Sequence, residues 1–268
     1  MKRLVYVAVI LVAGCAGSAK SPSSTAATPA ATSSAVRAIA LPGAPAGGVF
    51  MDYLAYDRAH HRVWVPAGNT GRVDVVDAAS GEIAQIDGFA TKEMERRGRR
   101  RIVGPSSATV GDGVVYVGNR GDSTVCAVDA TSLARGACVT LDSMPDGLAY
   151  VPSLHEVWVT TPRDKSITIV DAATPGALAV KQKLSFEGEP EGYAVDDARG
   201  LFYTNLEDKD RTLQIDVKTR QVAQTWLPSC GEDGHRTTVA GKTSCRCSFR
   251  FATSKADPCR TSSCGTSS

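Results

Sequence analysis

Arg62-Val-Trp-Val-Pro66, Val114-Val-Tyr-Val-Gly118, Glu156-Val-Trp-Val-Thr160 and Leu201-Phe-Tyr-Thr-Asn205 are four versions of one short phrase. Each centres on an aromatic residue (Trp64, Tyr116, Trp158, Tyr203), and thirteen residues after each stands an aspartate: Asp77, Asp129, Asp171 and Asp216. A second apolar run precedes each phrase: Met51–Tyr56, Pro105–Val110, Pro145–Tyr150 and Pro190–Val195, with a shorter turn after the second of these. The aromatics are spaced by 52, 42 and 45 residues. Every unit therefore has room for four short strands. Strand A is the first apolar run and strand B carries the aromatic. Strand C ends at the aspartate, and strand D follows a Ser-Gly or Thr-Pro-Gly turn. Short β-rich runs without helical periodicity argue for antiparallel sheets. A period in the forties with four strands per unit is the sequence signature of a β-propeller. The reading is all-β, with about four four-stranded blades over residues 47–234 in an incomplete ring. A β-sandwich would also use short strands, but it gives no reason for one interval to recur four times.

The strings Tyr116-Val-Gly-Asn119 and Tyr203-Thr-Asn205, each followed by a polar turn and a Val/Ile-Asp strand end, resemble the YVTN-type repeats of YncE-like bacterial propellers. The resemblance covers residues 47–234. It implies a fold rather than an activity, and a ring usually closed by seven blades, more than this chain can supply.

The chain opens with a basic pair, Lys2-Arg3, and an apolar stretch, Leu4–Val12, too short to span a bilayer. Val12-Ala13-Gly14-Cys15 follows and resembles a bacterial lipobox. That implies a signal peptide over residues 1–14 and lipidation of Cys15, hence export and a membrane anchor; an ordinary secretory signal is the alternative. Ala16 after the cysteine favours, within that resemblance, an outer-membrane lipoprotein facing the periplasm or the cell surface. Residues 15–46, rich in Ala, Ser, Thr and Pro, are expected to be a disordered linker, because they carry too little apolar surface to offset ordering entropy.

After Cys230-Gly-Glu-Asp-Gly234 a fifth unit should begin. Instead residues 235–268 are rich in Arg, Ser, Thr and Cys, no period survives, and Ser244-Cys-Arg-Cys-Ser-Phe-Arg-Phe251 does not read as a blade strand. The expectation is an irregular tail, produced by a frameshift or truncation near Gly234 or else genuinely disordered. Four blades of a wider ring would leave two open apolar faces, which predicts marginal stability or oligomerisation. Cys126 and Cys138 lie symmetrically about a turn near Thr131–Ala134, so they should face one another across a hairpin and, in an exported chain, form a disulfide. The tail cysteines Cys245, Cys247, Cys259 and Cys264 do not have a good zinc spacing.

A net charge of +2 over 268 residues gives no global field for nucleic acid. The chain carries no Gly-x-Ser-x-Gly, phosphate-loop or His-Glu-x-x-His pattern. His60, His61 and His155 are expected in A–B turns, on the face opposite the B–C loops where propeller ligands usually bind. Twelve residues before the aromatic, three units place a carboxylate: Asp52, Asp146 and Glu191. These could converge on the channel, where a divalent cation such as calcium would relieve their repulsion; hydrated carboxylates bonding turn amides are the alternative. The link Thr91–Arg101, with Lys92, Glu93 and Arg97 among its charges, would overhang the mouth and contact an anion, protein or small-molecule ligand, or simply be solvated. Two functions compete: a non-catalytic binding or scaffold propeller on the cell envelope, and a metal-dependent hydrolase resembling gluconolactonases. A likeness to virginiamycin lyase propellers lacks a histidine on the required face.

Overall fold

The computed structural model describes residues 37–96 and 98–227, together with the backbone of two later strands. Blade 1 contains β1 (Ala55–Asp57), β2 (Arg62–Ala67), β3 (Arg72–Asp77) and β4 (Ile83–Ile86). A two-stranded hairpin follows, β5 (Lys92–Arg96) and β6 (Arg99–Val103). Blade 2 is β7 (Pro105–Gly111), β8 (Val114–Asn119), β9 (Thr124–Asp129) and β10 (Arg135–Thr140). Blade 3 is β11 (Leu148–Val151), β12 (Glu156–Thr161), β13 (Ser166–Asp171) and β14 (Ala179–Ser185). Blade 4 is β15 (Pro190–Asp196), β16 (Leu201–Leu206), β17 (Arg211–Asp216) and β18 (Val222–Trp226). Each blade is one four-stranded antiparallel sheet whose strands pair in chain order.

The recurring interval has a structural cause. The aspartate lies directly across the ladder from the residue two before the aromatic: Arg62 with Asp77, Val114 with Asp129, Glu156 with Asp171 and Leu201 with Asp216. One hairpin register is thus repeated four times. The aspartate then closes the next turn. Asp77 Oδ1 accepts from the amides of Ala79 and Ser80 at 3.0 and 2.7 Å, and Asp129 and Asp216 repeat this two and three residues ahead. Such side-chain turns end a strand and start its return. In blade 3 the longer turn leaves Asp171 with the Ala173 amide.

The aromatics form the core between blades. Trp64 packs among Val73, Val115 and Val128 of blades 1 and 2, Tyr116 stacks on Tyr150 of blade 3 at 5.7 Å, and Trp158 meets Phe202 of blade 4 at 4.9 Å. Each is at most 1% exposed. Burying a large apolar side chain contributes about 1.5–3 kcal/mol, so the repeated ring is the main fastener between neighbours. The A strands of all four blades line a second cavity of about 350 Å³ on the channel. Gly147 of blade 3 passes directly beneath the Tyr193 ring of blade 4, where any Cβ would collide.

Four features differ from the sequence reading. The expected strand A of blade 1 splits. Only Ala55–Asp57 joins its own sheet, while Tyr53 bridges in parallel to Ser107 of blade 2, donating its amide to Ser106 O and accepting from the Ala108 amide. The linker does not run free to residue 46. Pro42 O accepts from Arg72 and Gln85, because those two side chains flank the fully buried Asp74 and turn their remaining donors outward. The basic link after blade 1 is the β5–β6 hairpin rather than an open loop. Finally, the tail carries an antiparallel pair, β19 (Gly234–Val239) and β20 (Lys242–Cys247), and β20 includes Ser244-Cys-Arg-Cys247. Strand β19 runs beside β15 and β16. Tyr203, whose ring points to where a fifth blade would pack, is only 1% exposed. Its ring stacks on Trp226 of β18 at 6.1 Å. At blade 1, Leu54 and Tyr56 remain about half exposed, at 48% and 50%.

Candidate functional site at the channel mouth

Strand A of blade 3 begins at a fixed point because Asp146 N–H donates to Thr160 O at 2.8 Å, Thr160 N–H to Gly147 O at 2.9 Å, and Gly147 N–H to Thr160 Oγ1 at 2.8 Å. This clamp turns the Asp146 carboxylate toward the channel. Opposite it, β8 ends in the turn Asn119-Arg-Gly-Asp122. Asn119 donates to Asp122 at 2.9 Å and accepts from the Gly121 amide at 3.1 Å, so Arg120 projects inward. Its guanidinium donates to Asp52 Oδ2 at 2.8 Å, to Asp146 Oδ1, and through Nε to Pro145 O at 3.2 Å. Asp52 is brought there by the strand exchange at Tyr53.

The sequence reading offers Asp52, Asp146 and Glu191 as carboxylates that could share a cation, with hydrated carboxylates as the alternative. The structure places the three carboxylates in one electrostatic neighbourhood, and the cation between the first two is Arg120. Among the described residues no group of three or more His, Cys, Asp or Glu side chains is arranged to hold a metal ion. Burial tends to discharge Arg120, but Asp146 and Asp52 outweigh it and hold the guanidinium above its usual value. Burial, reinforced by Asp52, raises Asp146 despite Arg120; its Oδ2 has no hydrogen-bond partner. Burial, a hydrogen bond to Glu207 and the Asp146 charge push Glu191 up to about 9, so it holds its proton at neutral pH. Tyr53 and Tyr193, rings tilted against each other at 5.5 Å, are both raised by burial and by these carboxylates, which keeps both phenols neutral.

Above this cluster opens a cavity of about 690 Å³. Its wall is charged on two sides. Glu189, Glu191 and Glu207 come from blade 4, while Arg100 and Arg101 come from the β5–β6 hairpin and Arg163 from blade 3. Phe50, Met94, Ile102 and Met144 supply apolar surface between them. Phe50 is held by backbone and side-chain bonds to Gly68 and Asn69.

Of the other candidates, Lys92 and Glu93 sit on β5 and are exposed, Glu93 bonding Arg100 at 3.3 Å; neither lines the cavity. Arg97 and Cys15 lie outside the described residues. Cys126 and Cys138 face each other on β9 and β10 and are joined by a disulfide. His60, His61 and His155 stand at the A–B turns: His60 bonds Asp57 at 2.7 Å, His61 bonds Tyr56 at 3.2 Å, and His155 bonds Asp112 at 2.9 Å. None lines the mouth. Arg120, Glu207 and Tyr53 were missed. The signal for the first two was present: the fourth residue after each aromatic is Gly68, Arg120, Pro162 or Glu207, and the last three line the cavity.

No protein-family profile and no curated protein sequence matches the chain. Its fold is similar to solved structures. Hydrazine synthase from Kuenenia stuttgartiensis aligns with TM-score 0.54 at 13% identity, over 66% of this chain and 48% of that one. A chain of the mitotic checkpoint complex aligns with TM-score 0.53 at 14% identity, over 66% and 52%. The β-propeller domain of Cps50 (Swd1) from Myceliophteria thermophila aligns with TM-score 0.51 at 13% identity, over 66% and 55%. The chain thus spans about half the length of the structures it matches. At these identities the likeness establishes the architecture alone, and that architecture is the β-propeller.

Proposed function

We propose that this chain is a non-catalytic binding or scaffold propeller that takes its ligand at the channel mouth and is held on the cell envelope through lipid on Cys15. One observation carries the reading: the 690 Å³ cavity gathers side chains from all four blades and the β5–β6 hairpin. That size falls in the range of small-ligand sites. The charged groups beneath it are locked into one another, Arg120 with Asp52 and Asp146, an arrangement that shapes a wall rather than freeing a nucleophile beside a base. The YVTN-like phrases and the lipobox-like stretch support an exported module of YncE type, facing the periplasm or the cell surface.

Two experiments test this. Equilibrium dialysis of the full chain against a defined panel of amino acids, peptides, sugars and lactones should retain at least one compound and return it with unchanged mass. Conversion of a lactone or other panel member would replace the reading with the hydrolase alternative, and retention of nothing would end it. Labelled palmitate should enter the wild-type chain in bacterial cells but not Cys15→Ala, which should leave the membrane fraction.

A further inference from the structure

The mouth cavity holds acidic and basic side chains that do not satisfy each other. Glu189, Glu191 and Glu207 have no cationic partner among the described residues, and Arg101 and Arg163 have no anionic one. All five line the same space, yet none of the carboxylates comes within ion-pair distance of either guanidinium. Phe50, Met94 and Met144 line the same cavity. The acids are crowded: Glu191 feels Glu207, Asp146 and Asp52, while the Arg120 charge is already spent on Asp52 and Asp146. A positive group arriving beside Glu191 would end that crowding, as a negative one would complete Arg101 and Arg163. Paired charge-assisted bonds of this kind are the strong ones in a partly dry site.

We propose that the channel mouth binds a short peptide in its zwitterionic form, its ammonium end against Glu189, Glu191 and Glu207 and its carboxylate end against Arg101 and Arg163. This rests on the binding reading above and narrows it to a ligand class. An apolar side chain fills the span along Phe50, Met94 and Met144. The volume of about 690 Å³ suits a peptide of a few residues rather than one amino acid.

The probe is trileucine, compared by calorimetric titration of the full chain with its N-acetyl form, its C-terminal amide and the doubly blocked peptide. Each single block should weaken binding about tenfold, the loss expected for one charge-assisted bond. Glu191→Gln should lose the difference between trileucine and its acetyl form. Arg101→Ala, on the exposed hairpin, should lose the difference between trileucine and its amide. A second readout is independent of these variants. Seating an ammonium beside Glu191, which faces Glu207, Asp146, Asp52 and Tyr53, expels the proton that Glu191 holds. Titrations in buffers of different ionisation heat should therefore show proton release, and affinity should rise with pH between about 6 and 8. Equal affinity for free and doubly blocked peptides, or no trileucine binding at millimolar concentration, would overturn the proposal. Retention of a sugar or another non-zwitterion in the dialysis panel would leave the binding reading standing while removing this one.

Discussion

Arg120 is the residue on which the mouth turns. It is 13% exposed, against 33% for Asp52 and 12% for Asp146. Removing one partner of a mostly buried ion pair costs about 3 kcal/mol, because the carboxylate left behind stays desolvated. Arg120→Ala should therefore lower the urea midpoint by that order, and Arg120→Lys should recover only part, since an ammonium cannot meet Pro145 O and both carboxylates in one plane. The same variant should create what the native chain fills with its own side chain. Millimolar calcium should raise the melting temperature of Arg120→Ala and leave the wild type unmoved; no shift in the variant would mean the carboxylates do not converge. Glu191 gives a pH dependence with a definite sign. Its folded value is raised from 4.5 to about 9, so the native state keeps a proton that the unfolded chain loses. The stability linked to it is full below about 4.5 and declines as pH rises to about 9. Asp77, Asp129 and Asp216 act oppositely, since turn amides hold them below 3.8; their contribution exists above that value and is lost as pH falls through the lowered one. Chemical denaturation at about pH 5, 7 and 9 should show the alkaline decline in the wild type but not in Glu191→Gln; parallel profiles would rule out a proton held by Glu191.

At the scale of single elements, the blades were legible and their exchanges were not. The aromatic-to-aspartate interval is a hairpin register, and a register is local, so spacing alone located β2–β3, β8–β9, β12–β13 and β16–β17. The cysteine pair was readable for the same reason, because Cys126 and Cys138 oppose each other across one turn. A bridge closing a loop of this length contributes about 3 kcal/mol. Cys126→Ser with Cys138→Ser should lose that amount in guanidinium titrations, and reduction of the wild type should reproduce it; an unchanged midpoint would mean the β9–β10 ladder holds the hairpin unaided. Met51–Leu54 misled because its apolar pattern fits strand A equally well on either neighbouring blade, and only tertiary contact chooses. The basic hairpin β5–β6 misled because charge conceals strand propensity when no face is buried: Lys92, Glu93, Arg99, Arg100 and Arg101 are all exposed. Mouth carboxylates were found as a repeat position, whereas Arg120 was passed over in a turn that resembled solvated loops elsewhere.

Across the whole molecule, blades that touch only their neighbours should unfold as loosely coupled units. One contact breaks that rule. Tyr53, from the segment leading into blade 1, packs its ring at a tilt against Tyr193 of blade 4. It couples the first and last four-stranded sheets without a closed ring. Tyr53→Ala should cost about 3–5 kcal/mol as a large aromatic truncation. It should also separate one urea transition into two, read by Trp64 and Trp158 fluorescence in single-tryptophan backgrounds. A single transition in the variant would show that adjacent interfaces suffice. The strand exchange at Tyr53 also bears on how the chain is made. Blade 1 takes its innermost support from Ser106 and Ala108, which lie beyond every other residue of that blade. A chain synthesised from the N-terminus therefore presents a first sheet that is unfinished until the start of the second has emerged. During that interval its half-covered inner edge is open to chaperones, and a pause in synthesis there would prolong the exposure.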